Sequence, residues 1–567
     1  MDIDEPQAVV TTSVGNSVAP IKKEFLVVRE PSTAPSANES TEKRETGINR
    51  DRYGANSKEL PAAKDKLCPR TSVGLECNYS GECKFTHDIE SFMAKKGPDL
   101  GRRCPVFEAF GTCEYGLRCR FAQAHTTANY RQIVDEDKVA LSEQEKKTFN
   151  HVSKDMLIRL RKKKVDFPRT RDFERVWEAM KGNNNVEEDG DIEEEDDTMR
   201  IDSAQKRQRI QTGTVDFRGK TYLGPLTTLG NLPFRRTCKG FGVDITCSEM
   251  ALASNILQGK QSELALLRRH ESEDIFGVQL AGRRADVIGR ATEFISAECN
   301  VDFIDLNLGC PIELAYNKGS GSALLTQPWQ MERIVRTIRY VSDCDITVKF
   351  RTGIKPGDNL AHKLIPKFER WGAVMGTLHG RSRQQRYTKY ADWEYIARCR
   401  QATGQIPLFG GGDVLSWEDY WDHLETQKQC DGVMIGRGAL IKPWIFREIN
   451  ERRVWDISAN ERLDILKDFA RFGMEHWGTD AHGIATTRRY LLEWQSFLHR
   501  YVPAGILEVL PQKMNDRPPA YYGRNDLETL MASSSSKDWI KISEMVLGPA
   551  PDGFTFIPKH KSNSYDD

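Results

Sequence analysis

VDFIDLNLGCP, Val301–Pro311, is an apolar run that stops abruptly in Gly-Cys-Pro. A short, nearly continuous apolar run is the mark of a strand buried on both faces, and glycine followed by proline gives it a tight, fixed exit. A cysteine that only filled core would need no such setting, so Cys310 is a candidate for chemistry. The same plan recurs on both sides of it. TYLGPLT, VDITCSEM, FGVQLAG, VDFIDLNLGCP, ITVKFRTG, AVMGTLHGR, IPLFGGGD and DGVMIGRGAL make eight such segments over roughly residues 219 to 448. Amphipathic stretches such as MERIVRTIRYV (Met331–Val341) separate several of them. Eight strand-plus-helix units predict an α/β fold, a TIM (β/α)8 barrel, whose usual length is about 250 residues. A doubly wound sheet would instead place a glycine-rich fingerprint after its first strand, and GPLTTLG is not one.

In a TIM barrel the chemistry gathers where strands end. The residues closing each run are therefore the candidates: Pro225, Leu226 and Thr227 after the first, Gln279 after the third, Asn307 and Cys310 after the fourth, and Lys349 and Arg351 on the fifth. The sixth ends in His379 with Arg381, the seventh in Gly411, Gly412 and Asp413, and the eighth in Gly436 and Arg437. The last two glycine clusters stand where this fold commonly holds a phosphate.

Composition divides the rest of the 567 residues. Residues 1–60, rich in Ser, Thr, Pro and Glu, predict a disordered tail. Residues 129–214 predict a basic helix and an acidic linker. The helix spans 142–164, opening on a capping box of Ser142 with Glu145, carrying Phe149, Val152, Met156 and Leu160 at helical spacing, and ending in RLRKKK (Arg159–Lys164). In the linker, Glu187–Asp197, nine of eleven residues are acidic, and KRQR (Lys206–Arg209) follows. Residues 215–450 are assigned to the barrel and 451–567 to a smaller helical domain and C-terminal tail, in which TTRRYLLEWQSFLHRYV (Thr486–Val502) reads as an amphipathic helix with Arg and His on its polar side. Lys plus Arg and Asp plus Glu balance at 82 each, so net charge names no partner. With no signal pattern and no membrane-length apolar run, a soluble intracellular protein is expected, and the 13 cysteines are expected to be free, metal-bound or catalytic. KRQR and RLRKKK read equally as nuclear-import signals and as phosphate contacts, and both nucleus and cytoplasm are expected.

Cys68, Cys77, Cys83 and His87 are spaced C-x8-C-x5-C-x3-H, and Cys104, Cys113, Cys119 and His125 repeat the pattern with five residues before the histidine. Three thiolates and an imidazole suit tetrahedral zinc, so residues 61–128 predict two structural zinc sites. The spacing resembles the CCCH zinc-finger family. Tyr79 and Phe85, with Tyr115 and Phe121 in the matching places, fall where such fingers stack RNA bases.

LNLGCP, VKFRTG, LHGRSRQQRYTKYADW, GGGD and IGRGAL resemble the tRNA-dihydrouridine synthases, over roughly residues 215 to 510. Twin fingers ahead of GPLTTLGNLPFRR resemble in particular the eukaryotic branch acting at position 47. The resemblance implies reduction of uridine to 5,6-dihydrouridine in tRNA, with messenger RNA as a further substrate class, by a monomer that uses FMN and NADPH. It implies FMN on the residues matching Pro225, Leu226, Thr227, Gln279, Lys349, His379, Gly411, Gly412, Asp413, Gly436 and Arg437, and Cys310 as proton donor to C5 of the base. Asn307 is expected at a uracil edge, and Arg351, Arg381 and Arg383, with Arg386, Tyr387 and Lys389, on RNA. Two departures stand out: GPLTT where many relatives have an APM-type turn, and GGGD where many have GNGD, so that Gly411 brings only backbone. Two other readings fit parts of the sequence: a flavin dehydrogenase of a small pyrimidine, and an RNA-binding CCCH protein with a non-catalytic barrel. The fingers and the arginine loop weigh against the first, and Cys310, Lys349 and His379 against the second.

Overall fold

The computed structural model describes residues 18–27, 63–79, 81–145, 147–183 and 215–559. The acidic block and KRQR lie outside these residues. All eight expected strands form: β1 Tyr222–Leu223, β2 Ile245–Cys247, β3 Ile275–Ala281, β4 Phe303–Leu308, β5 Asp345–Arg351, β6 Met375–His379, β7 Leu408–Gly411 and β8 Gly432–Ile435. Each pairs in parallel with its sequence neighbour, and β8 pairs with β1, so the sheet closes into a barrel. Alternation along the strands sorts the side chains. In β4, Ile304, Leu306 and Leu308 join the core shared with the outer helices, whereas Phe303 turns inward to Tyr222, Met375, Phe409 and Met434 on the barrel floor. Floor rings meet edge to face, Phe217 and Phe303 at 5.5 Å. Gly277 makes room for them, since a Cβ there would lie 2.1 Å from the Phe303 ring.

Beyond the barrel, helices Ala459–Trp477 and Ala481–Leu498 pair, begun by a Ser458–Glu461 capping box and by Asp480. Trp494, fully buried, donates its indole N–H to Leu440 O at 3.0 Å and locks this domain to the barrel. Among the described residues no helix is long and apolar enough to cross a membrane.

Four expectations need correction. The 142–164 helix is two helices, Glu136–Gln144 and Lys154–Arg161, capped by Asp135 and Ser153. Ser142 lies in the last turn of the first, and Phe149 pairs antiparallel with Arg269, because Asn150 at φ 66° breaks the helix and spends its amide on Leu267 O and Asn300 N. Within the tail, residues 18–27 are packed: Ala19 and Ile21 are buried against Val502, Ile506 and Tyr521, an apolar patch the helical domain alone leaves open. The region 129–214 holds a further helix beyond the one expected, Pro168–Asn183, whose first turn donates Arg169 N and Thr170 N to the Glu293 carboxylate on the barrel's outer layer. Finally, Arg488 and His499 are not on a polar face. The helix Ser536–Leu547 covers them, and Arg488 donates to Ser543 Oγ at 2.8 Å and Gly548 O at 2.7 Å.

Candidate active site

A ladder of buried polar groups climbs the barrel axis. Asp305, turned inward on β4, accepts from Gln279 Nε2 at 2.6 Å and Thr347 Oγ1 at 2.7 Å, and burial raises its pKa. Gln279 Oε1 accepts from Asn307 Nδ2 at 2.7 Å. Asn307 Oδ1 in turn accepts the N–H of Cys310 at 2.9 Å and of Gly309 at 3.2 Å. The carbonyls of the same loop are also held: Arg351 Nε donates to Gly309 O and Ser322 Oγ to Cys310 O, both at 2.8 Å. Gly321, at φ 62°, lies so close that a Cβ would come within 2.9 Å of Cys310 Cβ. The loop is therefore fixed from four sides. The Cys310 thiol, 6% exposed, makes no hydrogen bond among the described residues.

Beside it, β5 to β8 contribute a cationic corner. Lys349, Arg351, Arg381 and Arg437 all act on the His379 ring, and the Asp413 carboxylate accepts from two of them, from Arg381 Nη2 at 2.6 Å and Arg437 Nη2 at 2.8 Å. Burial, then Arg351 and Lys349, hold the His379 pKa well below its usual value, so the ring is neutral. Burial likewise lowers Lys349, whose ammonium has no hydrogen bond among the described residues. His379 Nδ1 and Arg381 Nη1 are buried without partners. Orphaned donors of this kind, facing glycine-lined strand ends, are what a phosphate-bearing cofactor would satisfy. At Gly412, φ 133°, a Cβ would lie 3.4 Å from Arg381 Nη1, and at Gly436 it would meet Leu226 at 3.6 Å.

Some site residues have other duties than those expected. Arg381 is fully buried, clamped by Asp413 and by Lys389 O, so it is no RNA contact; a guanidinium deep in the corner is held by the nearest carboxylate. Asp413 serves its two arginines, and Asn307 orients the Cys310 loop, keeping one amide hydrogen to offer. Arg351 is buried on Gly309 O, Ser382 O and the Tyr387 hydroxyl, and Arg383 lies on the Tyr316 ring at 3.8 Å. Tyr387, 46% exposed, sits beneath Arg437 at 4.2 Å, while Arg386 and Lys389 remain on the surface. Sequence reasoning missed Ser322, Glu249 and Lys559. Burial pushes Glu249, at the end of β2, up to about 7, and Lys559 donates to Thr228 Oγ1 at 2.9 Å. Only Glu249 had a signal, its place at a strand end.

In each finger the four ligand atoms lie within 4.8 Å of one another, and His87 Nε2 and both His125 ring nitrogens are buried without partners, as a metal site requires. The wider spacing before His125 is taken up by the turn Ala122–Ala124. The fingers differ in setting. Tyr79 and Phe85 are 71% and 36% exposed, whereas Phe121 is 8% exposed and Tyr115 packs beside Gly478. Cys119 Sγ lies 3.1 Å from Thr479 Oγ1 and Arg120 N donates to Thr479 O at 2.8 Å, so the second finger is docked on the turn between the paired helices.

A closed (β/α)8 barrel with a pinned cysteine and a phosphate-type corner at its mouth defines a TIM-barrel enzyme class. A profile of the dihydrouridine synthase family (Dus) matches residues 222–478, and one of the DUS3L CCCH zinc finger domain matches residues 97–128. A tRNA-dihydrouridine(47) synthase-like protein of the NAD(P)(+) type from Xenopus tropicalis is 46% identical, covering 93% of this chain and 84% of its own length. Its Homo sapiens counterpart is also 46% identical, covering 94% and 86%. Among solved structures, morphinone reductase in complex with tetrahydroNAD is similar at 10% identity and a TM-score of 0.31, covering 43% of this chain and 90% of that one, too low for any conclusion. The chain belongs to the dihydrouridine synthase family, and it is an oxidoreductase.

Proposed function

We propose that this chain reduces uridine in tRNA to 5,6-dihydrouridine, at position 47 as in the names of its relatives, with FMN as cofactor and NADPH as reductant. The observation that carries the reading is the unpartnered Cys310 thiol, fixed beside a corner whose buried His379 and Arg381 nitrogens lack partners. FMN would be held by Leu226, Lys349, His379, Arg437 and the backbone at Gly411, Gly412 and Gly436; the chemistry it would supply is a hydride to C6 of uracil, renewed from NADPH. Cys310 Sγ gives its proton to C5, a general-acid role open to a thiol. Asn307 sets the height of that thiol through the loop N–H groups and offers its remaining amide hydrogen to the base. Neutral His379 donates a hydrogen bond without adding to the crowded positive charge.

A base stacked within folded RNA cannot reach a cysteine as buried as Cys310, so the uridine must be flipped out at a cost of a few kcal/mol. Exposed Arg386, Lys389 and Tyr79 offset it by binding RNA away from the chemistry. An unpaired uridine in messenger RNA presents the same edge and is a second substrate class. We take the enzyme to act as a monomer in cytoplasm and nucleus, with zinc in both fingers. The test is to purify the protein, identify the bound flavin, and incubate it with unmodified tRNA and NADPH. Dihydrouridine, located by mass mapping, is expected; a flavin-loaded sample that forms none overturns the reading.

A further inference from the structure

On the flank of the barrel a second cavity, ≈ 50 Å³, opens where five elements meet. Phe110 from the second finger and Leu232 from the helix after β1 form its apolar wall. The rest comes from Lys147, His151, Arg268 and His270, and from Glu475 and His476 of the helical domain, with Arg236 between them. Arg268 and His270 lead into the start of β3, the end opposite Gln279, so this is not the mouth.

Its charges do not balance. Arg236 is satisfied, donating to Glu475 at 2.6 Å and lying on the Phe472 ring at 3.9 Å. That uses the carboxylate. Lys147 has only a long contact to Ala109 O, 3.4 Å, and the Arg268 guanidinium, which feels Glu114 through space, has no hydrogen bond or ion pair among the described residues. His476 also lacks a hydrogen bond there, while His151 and His270 each keep one ring nitrogen uncommitted beyond Thr148 and Ser272. The three imidazoles do not chelate a metal: among the described residues, only the finger sets bring three ligand atoms together. All three are held neutral, by burial first and then by Arg268 or Arg236, as expected where positive charge is in excess. The volume is several times the roughly 10–15 Å³ a water needs but far below the ~300 Å³ of a nucleotide-sized pocket. It suits one tetrahedral oxyanion.

We propose that this cavity binds a phosphate group, seated on Arg268 and Lys147 with His476 as a further donor, and so ties finger, barrel and helical domain together. The phosphate comes from an RNA backbone or from solution; only the first source rests on the proposed tRNA substrate. The test uses the full-length, flavin-loaded protein. Inorganic phosphate, exchanged for chloride at constant ionic strength, is expected to raise the melting temperature saturably in the wild type, not in Arg268→Gln, and again in Arg268→Lys. In parallel, tRNA affinity is measured against salt, where Arg268→Gln is expected to reduce the slope of log K on log salt by about 1. Stabilisation with an unchanged slope assigns the site to free phosphate, and a reduced slope without stabilisation assigns it to the RNA backbone. Neither effect, in a variant that keeps its flavin and zinc, overturns the proposal. Should Arg268→Gln fail to fold, Lys147→Gln, on a separate segment, gives the same two readouts.

Discussion

Cys310 combines a fixed backbone with a free thiol, and the two properties have different owners. Asn307, Arg351 and Ser322 hold the loop, and among the described residues no hydrogen bond holds Sγ. Replacing Cys310 by Ala should leave flavin content and tRNA affinity unchanged while lowering turnover by about 10²–10⁴, the usual worth of a general acid. Single-turnover assays on flavin-loaded protein check this, and full activity would remove the thiol from the mechanism. Asp413 has the opposite character: its carboxylate is committed to two guanidinium groups, its side chain 9% exposed. Asp413→Ala leaves Arg381 and Arg437 facing each other in a buried corner, a loss of about 3–5 kcal/mol by analogy with other broken buried pairs. Chemical denaturation reads the loss directly. Wild-type stability in that variant would mean the arginines find other partners.

At the scale of elements, the two fingers share a ligand pattern but not a role. The first presents Tyr79 and Phe85 to solvent, while the second buries Phe121 and packs Tyr115 beside Gly478 of the helical domain. Tyr79→Ala should therefore weaken tRNA binding by about 5- to 150-fold, the worth of one stacked base at roughly 1–3 kcal/mol, without lowering the melting temperature. Tyr115→Ala should do the reverse, lowering the melting temperature with little direct effect on RNA contact. Fluorescence anisotropy and calorimetry on both variants separate the roles. Equal affinity losses in the two would restore the symmetric picture that the repeated spacing suggests.

For the whole molecule, the pH dependence of stability follows from three buried histidines and one buried glutamate. Burial and neighbouring arginines hold His270, His476 and His499 at about 4, 3 and 4, below the usual 6.5. The unfolded chain therefore takes up these protons first, and the stability they contribute, full above about 6.5, is lost as pH falls toward 4. Glu249 runs the other way: raised to about 7, its contribution is present below its ordinary 4.5 and lost as pH rises through 7. Three groups outweigh one, so the melting temperature should fall between about pH 7 and about pH 5, and less steeply in His499→Gln. A melting temperature that is flat or rising over that range would contradict the burial of these rings.

Local pattern determined much of this protein. The eight strands, the residues at their ends, the position of Cys310 and both ligand sets were legible because strand period, strand exits and metal-ligand spacing are properties of short stretches of chain. The helix Pro168–Asn183, the packed residues 18–27 and the break at Asn150 were not, because each is held by residues more than a hundred positions away: Glu293, Ile506, Leu267. The same holds within the site. The sequence put Arg381, Asp413 and Arg437 at strand ends, but only closure of the barrel set the carboxylate between the two arginines and took Arg381 away from RNA. Spacing made two equal fingers, and only the Thr479 turn, 360 residues beyond Cys119, made one of them a joint between domains. Charge and burial are summed over everything that meets in space, so the flank cavity, with Arg268 and Lys147 left over, exists only in the folded chain.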